Sequence, residues 1–156
     1  MITINRDIDV RVPPATVWAT LWDVAAVARC LPGCGEIVEL EPRRHYRATI
    51  RDRVGPFTVT VPLEVTVHDV VDGQRLSLQA SGRDATLGSP VRMSLAVSVA
   101  PADGGARLTL DGAGEIGGKL AALGQAVTRR KARETLDRFA ANLRILLGGD
   151  LGAAAV

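Results

Sequence analysis

The chain has 156 residues, enough for one domain with its own core and no need of disulfides or metal to fold. Hydrophobic residues make up 47% of it, but only Trp18, Trp22, Tyr46, Phe57 and Phe139 are aromatic, so any pocket is lined by aliphatic side chains. A formal net charge of +2 is too small for a nucleic-acid binder, and the cluster Arg129-Arg130-Lys131-Ala132-Arg133 has no interleaved aromatic side chain to stack on a base.

Residues Ile2 to Val12 alternate, with Ile2, Ile4, Ile8, Val10 and Val12 on one face and Arg6 interrupting it, which predicts a half-buried strand. Pro13-Pro14 stops the strand, and Pro14 suits the first turn of a helix. The i,i+4 pairs Val17 with Leu21 and Trp18 with Trp22 continue that helix. A second short helix runs from about Asp23, as N-cap, to Cys30 and ends at Pro32-Gly33. Six strands follow at Glu36–Glu41, His45–Val54, Phe57–Val70, Arg75–Ser81, Val91–Ala100 and Ala106–Ile116. Short turns between them imply an antiparallel meander.

A long helix is predicted from Gly118 to Leu147. Leu136, Phe139, Leu143 and Leu146 share one face, whereas Leu120, Leu123 and Val127 fall nearly opposite. Either the helix bends near Gly124 or these three residues form a second apolar patch. The layout is α+β: a seven-stranded curved antiparallel sheet around a long C-terminal helix, with two short helices after the first strand. Residues 1–147 are expected to form one domain and 148–156 a flexible tail.

Two cysteines, Cys30 and Cys34, and an N-terminus without the features of a signal peptide predict a reducing, cytoplasmic setting with free thiols. The sequence lacks any apolar run of about 18 residues, the length a membrane helix needs. His45 and His68 are far apart, and Cys-x3-Cys brings no further ligand, so no metal is expected. No nucleophile elbow, phosphate loop or dinucleotide fingerprint is present, so no catalytic residue or cofactor is assigned.

Two places carry a hint of chemistry. On the last strand Leu108, Leu110, Gly112, Gly114 and Ile116 share a face, so two glycines stand where large side chains would pack. The helix opposite offers Ala121, Thr128 and Ala132. Missing side chains on both sides predict a void, which close-packed interiors otherwise avoid. On the strand from His45, the residues Tyr46, Ala48, Ile50 and Asp52 share the inward face. An unpaired inward carboxylate is expensive. Asp52 therefore lies at a sheet edge or bulge facing water, or serves as the polar contact of a ligand cavity.

The stretches Leu31-Pro32-Gly33-Cys34, Tyr46-x-Ala48-Thr49, Val54-Gly55-Pro56-Phe57 and above all Gly117-Gly118-Lys119-Leu120-Ala121-x-Leu123-Gly124 resemble the CoxG family, named for carbon monoxide dehydrogenase. That family is part of the START/Bet v 1-like (SRPBCC) superfamily. The resemblance implies a helix-grip fold with a hydrophobic cavity and a role beside a molybdenum hydroxylase, in membrane recruitment, maturation or handling a quinone-like carrier. Asp52 departs from the family pattern, which usually has an apolar residue there. The chain stops at Val156 without the hydrophobic anchor of some relatives, so at most a transient membrane-surface contact through Arg129, Arg130, Lys131 and Arg133 is expected.

The expected function is therefore to bind or carry a small hydrophobic ligand, quinone- or lipid-like. The lining set is Tyr46, Ala48, Ile50, Asp52, Phe57, Val59, Val61, Leu78, Met93, Leu95, Leu110, Gly112, Gly114, Thr128 and Ala132. Two alternatives stay open: a small cyclase or hydrolase using Asp52 with Tyr46, and a protein–protein adaptor using Leu120, Leu123 and Val127.

Overall fold

The computed structural model describes residues 2–148. The expected C-terminal tail thus lies outside the described residues apart from Gly148. The elements follow in chain order: β1 (Ile2–Val10), α1 (Pro14–Leu21), α2 (Val24–Cys30), β2 (Cys34–Glu41), β3 (His45–Val54), β4 (Phe57–Val71), β5 (Arg75–Arg83), β6 (Pro90–Ala102), β7 (Gly105–Ile116), α3 (Gly118–Ala121) and α4 (Gln125–Leu146).

The seven strands form one curved antiparallel sheet in the order β1-β7-β6-β5-β4-β3-β2. Each hairpin places a strand beside its predecessor, and β1 then pairs with the free side of β7. The two short helices carry the chain from one sheet edge to the other. Pro14 sits at the start of α1, where its missing N–H costs no intrahelical bond. Asp23 caps α2, its carboxylate accepting from the Ala26 N–H at 3.4 Å.

The helix expected over 118–147 is broken in two. Gly124 stands at φ +89, a conformation open to glycine and strained for L side chains, and caps α4. A straight helix would aim Leu120 and Leu123 away from the face that carries Leu136 and Leu143. The break lets both apolar faces reach the sheet. Leu120 is buried, with its N–H donating to Ser89 Oγ at 3.1 Å. Leu123 and Val127 lie over the β3–β4 turn, where a Cβ on Gly55 would meet Leu123 Cδ1 at 3.4 Å and Val127 Cγ1 at 3.9 Å. They are thus not the free adaptor patch left open by the sequence.

The apolar interior divides into two clusters. The larger joins Ile8, Val10, Val17, Val97, Val99, Leu108, Leu110, Leu136, Ala140 and Leu143. The smaller joins Val59, Val61, Leu63, Ala80 and Leu120, with Ile50, Phe57 and Leu123 packed against it. Each fully buried aliphatic side chain stabilises the fold by about 1.5–3 kcal/mol relative to leaving it in water. The long helix α4 packs against α2, β1 and β3, so it rests on the two flanks of the curved sheet and bridges the middle strands.

Candidate functional site: the concave face between sheet and helix

Strand register puts a row of inward residues across the middle of the sheet. Ile4 pairs with Gly112, Gly112 with Leu95, Leu95 with Leu78, and Leu78 with Val67. A second row runs Gly114, Met93, Ala80, Val65 and Tyr46. Met93 shares its face with Val97 and Val99, which are buried, yet is itself 40% exposed. Ile4, Val67, Leu78 and Leu95 are half-buried. Ile4, Val67, Leu78 and Leu95 pack against the larger cluster and Val65 against the smaller, so Met93 is the large apolar side chain of these two rows that is left largely open.

The void expected from missing side chains is corrected in part. A Cβ on Gly112 would lie 2.9 Å from Ile4 Cγ1 and 3.3 Å from Leu95 Cδ1, so those two side chains already occupy that space. Over Gly114 the nearest atoms, Arg92 O and Met93 Cγ, are 3.7 Å away. Ala121 belongs to α3 and is exposed, because the helix breaks before α4. Thr128 is buried and its Oγ1 donates back to the Gly124 carbonyl at 3.3 Å, while Ala132 is half-buried.

The predicted lining set thus divides by location. Leu110 lies deep in the larger cluster. Phe57, Val59, Val61 and Ile50 belong to the smaller one. Tyr46 and Ala48 are buried on β3. Leu78 and Leu95 pack at the margin of the larger cluster, with Met93 and Gly114 in the adjoining row. Ile4, Val65 and Val67 face the same side in these rows and were not named in the sequence-based set. Their inward parity was readable, but which partners they face depends on register.

Asp52 keeps its inward parity, since β3 pairs with β4 without a shift from His45 to Val54, but β2 pairs with β3 only as far as Ile50, so Asp52 lies on a locally open edge of β3, in line with the sheet-edge reading. It is not unpaired. Lys131 of α4 donates to Asp52 Oδ1 at 3.0 Å, and both side chains are about a quarter exposed. The Arg53 N–H donates to the same oxygen at 2.7 Å. Lys131 is thereby removed from the set of free basic residues, leaving Arg129, Arg130 and Arg133 exposed on α4. On the opposite flank, Arg6 of β1 pairs with Asp137 of α4. The two charges that interrupt the inward faces of the flanking strands are thus both answered from the helix.

Tyr46 and Asp52 do not form an acid–base pair. They lie six residues apart on one extended strand, about 20 Å. The Tyr46 hydroxyl accepts from the Arg43 N–H at 2.9 Å, and burial pushes its pKa up. Among the described residues no group of three or more His, Cys, Asp or Glu side chains could hold a metal. Two shallow concavities are present: one of about 440 Å³ where β1, β7 and β6 meet, lined by Thr3, Ile4, Asn5, Ser94, Asp111, Gly112 and Ala113, and one of about 360 Å³ beside Trp22, Arg43 and Val67. Both cysteines are free, and burial raises their pKa values, so little thiolate exists at neutral pH. Iodoacetamide at pH 7.5 is expected to label the folded protein several-fold more slowly than free cysteine, with half-buried Cys34 reacting before buried Cys30. Peptide mass mapping over time checks this.

A curved antiparallel sheet gripping a long C-terminal helix defines the START/Bet v 1-like, helix-grip class. Solved structures share it: a conserved protein from Geobacillus kaustophilus superposes with a TM-score of 0.84 at 19% identity, covering 96% of this chain and 97% of that one. A START superfamily protein from Mycobacterium smegmatis gives 0.68 at 13% identity over 94% and 97% of the two chains. The Bet v 1-like Ara h 8.0201 gives 0.61 at 15% over 93% and 96%. Within this class the chain belongs to the carbon monoxide dehydrogenase CoxG family, whose model matches residues 7–148. No protein of curated function matches the sequence. No helix among the described residues is long and apolar enough to cross a membrane.

Proposed function

We propose that the protein binds and carries a small hydrophobic ligand, quinone- or lipid-like, on the concave face between the sheet and α4. The observation that carries this reading is the inward-facing yet 40% exposed Met93, beside half-buried Leu78 and Leu95 at the margin of the larger cluster. A monomer gains by burying such a side chain, and an apolar ligand would do so without any change of fold. The family's description supports a further step, that the protein is an accessory to a molybdenum hydroxylase such as carbon monoxide dehydrogenase. Two free cysteines fit a cytoplasmic setting. Arg129, Arg130 and Arg133 remain available for a transient contact with an anionic surface.

Native mass spectrometry of freshly purified protein tests the binding reading, the expected result being an adduct lost on organic extraction. Met93→Trp should occupy the ligand's place and lower affinity for an added apolar ligand tenfold or more, equivalent to about 1.4 kcal/mol or above. The same substitution should leave the melting temperature within a few degrees, because Met93 is not locked in a packed core. Wild-type protein that carries no adduct and binds no apolar probe would remove the proposal.

A further inference from the structure

We infer that the hollow beside Trp22 is a second binding site, separate from the concave face, and that it takes a small organic anion: a carboxylate carried on a short apolar body. This site does not depend on the carrier reading above.

The hollow has a volume of about 360 Å³ and lies where the α1–α2 junction meets the β2–β3 turn and the end of β4. Trp22 brings an unmet donor to it. Its Nε1–H is buried and, alone among the buried side-chain nitrogen and oxygen atoms of the described residues, has no hydrogen-bond partner. The neighbouring Trp18, packed edge-on with ring centres 5.9 Å apart, donates its own Nε1–H to Asp72 at 2.9 Å. A buried donor left unmet is costly, so the indole of Trp22 calls for an acceptor that the fold does not supply.

The backbone around the hollow is also unusual. Among the described residues only two that are not glycine have positive φ, Arg43 at +61 and Asp69 at +53, and both line it. Asp69 lies in the stretch where β4–β5 pairing shifts, and aspartate tolerates this conformation. Arg43 has no such excuse. It follows Pro42 at the second corner of a turn closed by the Arg44 N–H donating to the Glu41 carbonyl at 3.0 Å, a place that glycine fills without strain. What arginine adds there is its guanidinium, whose Cζ stands 4.6 Å from the centre of the Trp22 ring. Strain held at a residue whose side chain lies on an indole with an unmet donor points to binding rather than to a need of the turn.

The lining sets the ligand's chemistry. Arg43 and Arg44 bring two guanidinium groups against one carboxylate, Asp69, which His68 Nδ1 already holds at 2.9 Å. The surplus positive charge and the indole N–H both suit an anionic acceptor. Pro42, Val67 and Val70 supply an apolar wall, and Val70 is 44% exposed. A carboxylate seated by the two arginines would draw the Arg43 guanidinium off the ring and offer an oxygen to Nε1–H. An exposed cation–π contact is weak beside a charge-assisted pair and a rescued buried donor, so the exchange favours the anion. An alkylammonium would meet two like charges, and an alcohol would gain only neutral bonds.

Benzoate, benzyl alcohol and benzylamine at pH 7 share one ring and test the inference, each titrated into the nitrogen-15-labelled whole chain while the indole N–H resonances are followed. Benzoate is expected to bind about tenfold more tightly than either, and to move the Trp22 resonance downfield as an acceptor reaches it. The Trp18 resonance should move little, because Asp72 holds that N–H already. Arg43→Gly should weaken benzoate about tenfold while the melting temperature holds or rises, since glycine suits φ +61. Met93→Trp should leave benzoate affinity unchanged. Equal binding of the three probes, a Trp22 resonance unmoved at saturating benzoate, or unchanged benzoate affinity in Arg43→Gly would overturn the inference. Loss of benzoate binding in Met93→Trp would put the anion on the concave face and overturn it as well. The wild-type series decides even where a variant fails to fold. Failure here leaves the carrier reading standing, since that rests on Met93 and not on Trp22.

Discussion

Leu143→Ala is expected to lower the unfolding free energy by about 3–4 kcal/mol, within the range for leucines deleted from packed cores. Leu143 is fully buried in the larger cluster, where α4 packs against α2 and β1. Its neighbours pin the helix so that it cannot collapse into the space left: Asn142 Nδ2 donates to the Cys30 carbonyl at 3.0 Å, and Arg144 Nε to the Asp9 carbonyl at 3.3 Å. A helix held on both sides relaxes little, and cavity cost rises as relaxation falls. Ile145→Ala is the control. That side chain is 59% exposed two residues on, and its loss should change stability by less than about 0.5 kcal/mol. Urea unfolding followed by circular dichroism measures both. Equal effects would mean that α4 does not close the larger cluster in the way its contacts imply.

Gly33→Ala should be nearly as damaging, by about 3 kcal/mol, and for a different reason. Gly33 has φ +81, which costs an L residue about 1–2 kcal/mol by itself. Its added Cβ would also lie 2.4 Å from the Arg51 carbonyl oxygen, a backbone atom in the middle of β3 that cannot swing aside. Gly73 separates the two costs. Its φ is +75, yet an added Cβ there meets nothing within 4 Å. Gly73→Ala should therefore show only the conformational part, about 1–2 kcal/mol. The difference between the two variants, read from the same unfolding curves, reports the clash with β3.

Much of the fold was legible because each signal was local. Alternation in β1, β3 and β4 set which residues turn inward, and β3 spans His45–Val54 as read from the sequence. Pro14 and Asp23 marked the two short helices through chemistry confined to a single turn. Strand ends moved by one or two residues, as with β2 beginning at Cys34 and β6 at Pro90, because pairing continues beyond the apolar run. The candidate site was less legible. Gly112 looked like an empty position, but Ile4 from a strand over a hundred residues away fills it. Asp52 looked unpaired because Lys131 lies 79 residues further along the chain. Lys131 in turn looked like one of four equivalent surface cations.

The sequence by itself determined the α+β class, the inward face of nearly every strand and the oddity of a carboxylate on one of them. These follow from periodicity and turn chemistry, which act over a few residues. Only the tertiary structure decided where the helix breaks, which side chains cover Gly112 and Gly114, and which charge answers Asp52. Those outcomes depend on strand register and on the seat of α4 across a curved sheet, both set by packing between residues remote in the chain. The exposure of Met93 belongs to this second kind, since it reads as ordinary core by parity with Val97 and Val99 until its neighbours are seen to pack into the clusters without covering it.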